Sequence, residues 1–340
     1  MRERKDGEAS VTALYSIIFV LLLSGLAYLG GQAAGTRLFL GVALPYAAMF
    51  TFLAGLSYRV IGWANSPVPF RTPTTCGQQK SLPWLKSSWT ESPHSQAGVL
   101  LRMAMEILLF RSLFRNSQAR LREGPRLTYA ESKFLWLGAL AFHWSLLVVL
   151  LRHLKYFLVP VPHFVTRLEA LDGFFQMSAP GVLASDVVIL AALLFLLQRR
   201  FTNPRVRTIS LYTDYFALFL LLGVAGTGVL MRYFTRADLE SVKQLALGLV
   251  TFSPVVPAAV APLFFVHLTL VSALLMYFPF SKLVHMGGIF LSPTRNLAND
   301  NRMRRHVNPW NSPVKVHTYQ EWEAEFHDKI KAAGLPLERE

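Results

Sequence analysis

One residue in 340 is cysteine, Cys76. A single thiol excludes a Cys-x-x-Cys-His haem attachment, an iron-sulfur cluster held by this chain alone, and an internal disulfide. Charge is also scarce, since Asp, Glu, Lys and Arg make up 16% of the sequence against about a quarter in ordinary soluble domains. No P-loop, GxGxxG or HExxH pattern occurs, so the common signals for nucleotide binding and zinc proteolysis are missing. Apolar residues fill the deficit at 53%, and the mean hydropathy is +0.36. That profile belongs to polytopic membrane proteins.

Several apolar runs reach the roughly 20 residues that a helix needs to cross a hydrocarbon core about 30 Å thick. Six are read as spans: Val11 to Leu29, Leu38 to Ile61, Phe134 to Val159, Gly181 to Leu197, Leu211 to Met231 and Val255 to Phe280. Pro254, Pro257 and Pro262 interrupt the apolar sequence leading into the sixth, which places a surface-lying or re-entrant stretch before Pro254. The first run also has the flanks of a signal peptide, basic residues before it and small ones from Gly30 to Gly35, but its length favours a retained span. The expected fold is all-α and integral to the membrane. It divides into a two-helix segment (1–63), a loop (64–133), a four-helix domain (134–290) and a tail (291–340).

Lys and Arg set the expected orientation. Arg199, Arg200, Arg205 and Arg207 crowd the connection after the fourth span, whereas the connection after the third has only Lys155 and Arg167, with Glu169 and Asp172 nearby. The positive-inside rule makes the former cytoplasmic. Arg2, Arg4 and Lys5 put the N-terminus inside as well. Six spans return the C-terminus inside, beside Lys282, Arg295, Arg302, Arg304 and Arg305. The net charge of +14 is mostly this bias, so no nucleic-acid partner is inferred. The expected location is the cytoplasmic membrane.

On this topology the loop is cytoplasmic and keeps Cys76 reduced and inert. Val99, Leu100, Met103, Ile107, Leu108, Phe110 and Phe114 recur at helical spacing with Arg102, Arg111 and Arg115 between them, the pattern of an amphipathic helix at the inner interface. The tail from Asn299 reads as soluble, with a helix starting at Thr318 and capped by Glu321. Loop and tail together offer a docking surface for a soluble partner.

Four histidines lie in the apolar segments, where an imidazole is costly without a partner. Two opposed pairs of neutral imidazoles are the axial ligand set of two b-type haems. His267 and His285 are 18 residues apart, which on one helix is five turns and about 27 Å along a single face. His143 and His153 are ten apart, about 15 Å along the axis and roughly 80° around it. The two spans run antiparallel, so the pairing is crossed. His143 faces His285 near the cytoplasm, and His153 faces His267 near the outside. Helix tilt and oblique haem planes have to absorb the difference of about 12 Å between the two separations. A hydrogen-bonding role between helices is the alternative for any one of these residues, and for His285 an interfacial position beside Lys282. His94, His163, His306, His317 and His327 read as solvated.

The spacings of 10 and 18 resemble those of the membrane gamma subunit of respiratory nitrate reductase, a di-haem b quinol oxidase, over the third to sixth spans. The stretches Thr75 to Trp84 (TCGQQKSLPW) and Lys282 to Asn296 (KLVHMGGIFLSPTRN) resemble the DsrM family, the cytochrome b subunits of DsrMKJOP complexes of dissimilatory sulfur metabolism. That likeness covers nearly the whole chain. Five spans are usual in nitrate reductase gamma subunits, so the additional N-terminal span and the long inner loop fit the second group better.

The resemblance implies two haem b groups on His143, His285, His153 and His267, and menaquinone as the exchangeable membrane substrate. It implies a cytoplasmic DsrK-like iron-sulfur partner similar to heterodisulfide reductase. The remaining partners are periplasmic cytochrome c and iron-sulfur subunits and a second membrane subunit, like DsrJ, DsrO and DsrP. Lys155, Asp172 and Asp186 are the candidates for quinone contact near the outer pair. Arg152 and Lys155 outside, with Arg59, Lys282 and Arg295 inside, are candidates to meet haem propionates. Two readings from other classes remain open: a transporter without haem, which would show no reducible b-type absorbance, and a haem-bearing assembly anchor whose haems no quinol analogue reduces.

Overall fold

Apolar runs that must satisfy their own backbone hydrogen bonds in lipid become helices, and the computed structural model is organised by them. It describes residues 2–67, 77–124, 126–173, 181–303 and 313–338. Cys76, Thr75, Arg304, Arg305 and His306 lie outside the described residues. Helix α1 (Arg2–Gln32) leads through α2 (Ala34–Leu38) and a π-helical turn (Phe39–Ala43) into α3 (Leu44–Ala64). The loop contains α4 (Gln96–Leu109), α5 (Arg111–Phe114) and an antiparallel hairpin, β1 (Ser117–Arg122) with β2 (Arg126–Glu131), in register from Ser117 with Glu131 to Arg122 with Arg126. Then come α6 (Lys133–Phe157), α7 (His163–Asp172), α8 (Ala184–Thr202), α9 (Pro204–Ile209) and α10 (Tyr212–Val229), which continues as a π-helical segment (Leu230–Thr235). Helices α11 (Leu239–Val250), α12 (Pro262–Tyr277), the short α13 (His285–Gly288) and α14 (Tyr319–Ala332) complete the chain.

Among the described residues, five helices are long and apolar enough to cross a membrane: Val11–Gln32, Ala34–Ala64, Lys133–Phe157, Tyr212–Thr235 and Pro262–Phe280. Helix α8, expected as another span, carries Asp186, Arg199 and Arg200 within its 19 residues and falls outside that set. It still runs antiparallel to both neighbours from end to end. At one end Gly138 of α6 lies against Phe195, so close that an added Cβ would sit 2.5 Å from the ring. At the other end Arg152 of α6 meets Asp186 at 3.0 Å. On the opposite flank Arg200 donates to Ser210 at 2.9 Å, and the Tyr233 hydroxyl donates to Asp186 at 2.7 Å.

Two apolar clusters tie the bundle together. Val20 and Ala27 of α1 pack with Phe216 and Leu220 of α10 and Val266 and Leu270 of α12. Phe142 of α6 packs with Ile189, Ala192 and Leu193 of α8 and Leu218 of α10. Most other large apolar side chains on α1, α3 and α6 point outward, including Leu22, Phe50 and Phe134. That is the surface lipid tails cover.

Three sequence expectations change. The sixth span begins at Pro262 rather than Val255, because the prolines keep 251–261 out of helix and Pro262 fits only in a first turn. The stretch before it is the separate helix α11, and Gly248 permits the return, since an added Cβ would lie 2.8 Å from the Ser253 carbonyl oxygen. The loop helix is broken at Phe110, which has φ 49°, and continues as the short α5. Its buried face is Gly98, Val99, Arg102 and Glu106, while Leu100, Leu101, Leu108 and Leu109 are exposed. An outward apolar face suits contact with lipid, and polar residues then turn in to pair with protein. The tail also starts differently, with Ala298, Asn299 and Asp300 buried and the Asn299 backbone N–H donating to the Pro93 carbonyl at 2.7 Å. Helix α14 does begin with Thr318 and Glu321 exchanging capping bonds.

Candidate functional site

The four singled-out histidines meet in two crossed pairs, three of them on candidate membrane-crossing helices and His285 exposed just beyond the end of Pro262–Phe280. His153 of α6 faces His267 of α12 with ring centres 6.5 Å apart and planes 13° from parallel. His143 of α6 faces His285 of α13 with centres 5.9 Å apart and planes 80° apart. Helix α6 packs on α5, α7, α8 and α11, whereas α12 packs on α1, α3 and α10. Neither histidine-bearing helix is a principal neighbour of the other, and the imidazoles are what reach across.

The route to His285 is not the five-turn helix face the spacing implied. Helix α12 ends at Tyr277, and the chain takes two 3₁₀ turns, Phe278–Phe280 and Lys282–Val284, separated by Ser281 in extended conformation. Pro279 cannot continue a helical hydrogen-bond ladder, and its carbonyl accepts from Arg59 Nε at 3.0 Å. Leaving the helix frees His285 from the separation a straight rod would impose, and both pairs close, at 5.9 and 6.5 Å between ring centres.

Each ring is oriented through Nδ1. That atom lies 2.7 Å from the Ala139 carbonyl in His143, 2.7 Å from Val149 in His153 and 2.8 Å from Lys282 in His285. A carbonyl only accepts, so Nδ1 carries the proton and Nε2 keeps its lone pair. His267 Nδ1 lies 2.9 Å from Thr227 Oγ1, whose own proton is directed to the Gly223 carbonyl at 2.7 Å. Thr227 therefore accepts too. All four imidazoles are thus held with the proton on Nδ1 and the Nε2 lone pair free, the tautomer an outer hydrogen bond fixes in histidines that bind metals through Nε2.

This donor set fits a haem. A metal bound at about 2 Å by imidazole nitrogens on opposite sides places ring centres roughly 6 Å apart. Among the described residues no group of three or more His, Cys, Asp and Glu side chains converges as a chelate. A metal between two imidazoles alone must bring its remaining ligands with it, as a porphyrin does. Phe110 and Phe142 stand edge-on to the His143 ring at 4.9 and 5.0 Å, giving that pair an apolar wall.

Beside His153 the structure gathers the three polar candidates into one ion-pair network. Arg152 Nη1 lies 2.7 Å from Asp172 Oδ2, 3.0 Å from Asp186 Oδ1 and 2.6 Å from Ser185 Oγ. Lys155 pairs with Glu169 at 2.7 Å, and Arg232 lies 3.5 Å from Glu169 and 3.9 Å from Asp186. Three cations thus face three carboxylates, which is how charge is tolerated at such a position. Burial alone would raise Glu169, but Lys155 and Arg232 override it and hold the carboxyl below its ordinary value. The other cations considered for propionates also have protein partners: Lys282 with Asp214 at 2.9 Å, Arg295 with Glu106 at 3.2 Å, and Arg59 with the Pro279 carbonyl. Sequence reasoning passed over Thr227, Tyr233 and Arg232. Thr227 carried a signal, a hydroxyl within the small-residue run Gly223 to Gly228. Tyr233 and Arg232 lay beyond the expected end of the fifth span. His94, expected to be solvated, is half-buried with its Nδ1 enclosed.

Both histidine pairs lie within residues 98–305, the stretch matched by the sequence profile of the nitrate reductase gamma subunit. The chain belongs to the nitrate reductase gamma subunit family. It is also similar to the Hdr-like menaquinol oxidoreductase cytochrome b-like subunit of Archaeoglobus fulgidus, with 47% identity over 277 residues, 79% of this chain and 82% of that protein. The protein of the same description from Archaeoglobus profundus is 42% identical over 280 residues, 80% of this chain and 83% of its own length.

Proposed function

We propose that the chain is a di-haem b membrane subunit that moves electrons between menaquinone and a soluble iron-sulfur partner similar to heterodisulfide reductase. The observation that carries this reading is the pair of crossed, opposed imidazole couples at two depths, each oriented through Nδ1. Family membership supports the haem-bearing membrane role, and the relatives' description as subunits of Hdr-like menaquinol oxidoreductases supports the choice of quinone and partner. The likeness to DsrM makes dissimilatory sulfite reduction or sulfur oxidation the setting, with DsrK-, DsrJ-, DsrO- and DsrP-like subunits as the assembly.

In this reading α8 crosses the membrane with its two neighbours, giving six spans with both termini in the cytoplasm and the basic residues after α8 on that side. His143 and His285 hold the inner haem, and His153 and His267 the outer. The haems supply one-electron iron centres when bound. The chain fixes ring tautomer and orientation, keeps water from the path with apolar helix faces, and presents Lys155, Asp172 and Asp186 at the outer end, where quinone exchanges.

The test is to solubilise the native complex, record reduced-minus-oxidised spectra, add a menaquinol analogue and identify the subunits that copurify. Two b-type haems reducible by quinol, together with an iron-sulfur partner of the heterodisulfide reductase type, support the proposal. Absence of b-type bands returns the chain to the transporter reading. The family match also favours a second assignment, a quinol-oxidising gamma-type subunit of another respiratory complex. A copurifying partner of a different redox class would establish it.

A further inference from the structure

Where α6 begins and α8 ends, a cavity of about 660 Å³ opens at the edge of the bundle. Its walls divide by chemistry. Phe134, Leu135 and Phe195 form an apolar side, and Arg199 and Arg205 stand on the polar side with Glu131 at the rim. Glu131 is already engaged by Lys133 at 2.7 Å. Arg205 donates from Nη1 to the Ala119 carbonyl at 3.3 Å, and no carboxylate lies within ion-pair distance of it among the described residues. Arg199 is half-buried, follows directly on the apolar part of α8, and has neither a hydrogen bond nor an ion pair among the described residues. Its sequence neighbour Arg200 uses its own guanidinium on Ser210.

Two arginines line the cavity while its one carboxylate is already paired with Lys133, which leaves an uncompensated positive charge, and a half-buried guanidinium without a counter-ion is unfavourable. An anion with an apolar tail would relieve both halves of the site. Depth selects the class. Phe134 is 81% exposed and opens the apolar run of α6, so the cavity sits at the boundary between hydrocarbon and headgroups. Guanidinium groups suit phosphate because their planar donors match its oxygens.

We propose that this cavity binds an anionic phospholipid, with Arg199 and Arg205 holding the headgroup phosphate and Phe134 and Phe195 lining the start of an acyl chain. The inference goes beyond electron transfer and does not depend on it.

Equilibrium binding of a fluorescent phosphatidylglycerol to the full-length protein in neutral detergent tests the site, with unlabelled phosphatidylglycerol, phosphatidylcholine and inorganic phosphate as competitors. Phosphatidylglycerol should compete well and the other two poorly. R199Q/R205Q should weaken binding by roughly tenfold, whereas R236Q, an exposed arginine elsewhere in the chain, should leave it unchanged. Should the double variant fail to fold, R205Q alone, an exposed position, carries the test with a smaller loss. Undiminished binding by the rim variants overturns the proposal, as does equal competition by phosphatidylcholine. Equal competition by inorganic phosphate also overturns it, because it would assign the site to a free anion.

Discussion

His153 and His267 face one another nearly parallel, 6.5 Å between ring centres and 13° between planes. His143 and His285 stand 80° apart. Axial imidazoles in parallel planes split the iron π orbitals, whereas perpendicular planes leave them nearly degenerate. If each pair holds a haem b as proposed, the two are expected to differ in electron paramagnetic resonance, a rhombic low-spin signal from the His153–His267 pair and a strongly anisotropic one from the His143–His285 pair. H153A and H267A should each remove the rhombic signal and one b haem, and H143A and H285A the other. Haem quantification on the four variants checks the assignment, and loss of both haems from every single variant would refute the pairing.

Which imidazole faces which was legible in the sequence, because ten- and eighteen-residue spacings on antiparallel segments allow only crossed partners. The reason His285 arrives was not. Helical periodicity carried it along a straight rod, and the break at Pro279 and Ser281 is a tertiary event, fixed in part by Arg59 reaching across from α3. The hairpin from Ser117 to Glu131 was missed for a different reason: both strands are mostly polar in sequence and carry no apolar alternation strong enough to read, and the second is largely exposed. Asp172 and Asp186 were singled out together as candidates for quinone contact, not as partners of one arginine. That Arg152 binds both depends on α7 packing back on α6 so that its last residue, Asp172, meets Ser185 at the start of α8, which no local pattern records.

Arg152 is 6% exposed and holds two carboxylates. Removing it in R152Q leaves Asp172 and Asp186 buried with reduced compensation, and breaking a buried pair in this way costs about 3–5 kcal/mol. D186N is expected to be milder, because Arg152 keeps Asp172. Adding D186N to R152Q should recover part of the loss, since it removes a stranded charge. Thermal unfolding of the detergent-solubilised variants reads the order, and additive losses in the double variant would show that the carboxylates are not coupled through Arg152.

Glu169, on α7 outside the spans, should set an acid limit on stability. Lys155 and Arg232 hold its carboxyl below the ordinary value against the opposing effect of burial. A carboxyl with a depressed folded value contributes stability that is fully present above its unfolded value, about 4.3, and that disappears as pH falls through the folded value. Wild type should therefore exceed E169Q in thermal midpoint at neutral pH and converge with it in acid. Parallel curves across that range would remove Glu169 from the acid response.

Gly138 lets α8 approach α6, one of the helices long and apolar enough to cross a membrane. With an added Cβ 2.5 Å from the Phe195 ring, G138A must push the ring or separate the helices, and overpacking of this kind costs about 1–3 kcal/mol. The strain sits at the opposite end of α6 from Arg152, so the arginine network should survive while the packing beside His143 loosens. F195L, a smaller side chain at the same place, should restore most of the stability of G138A. Unfolding of the single and double variants measures the coupling, and a G138A that is as stable as wild type would mean that α8 is not held against α6 along its length.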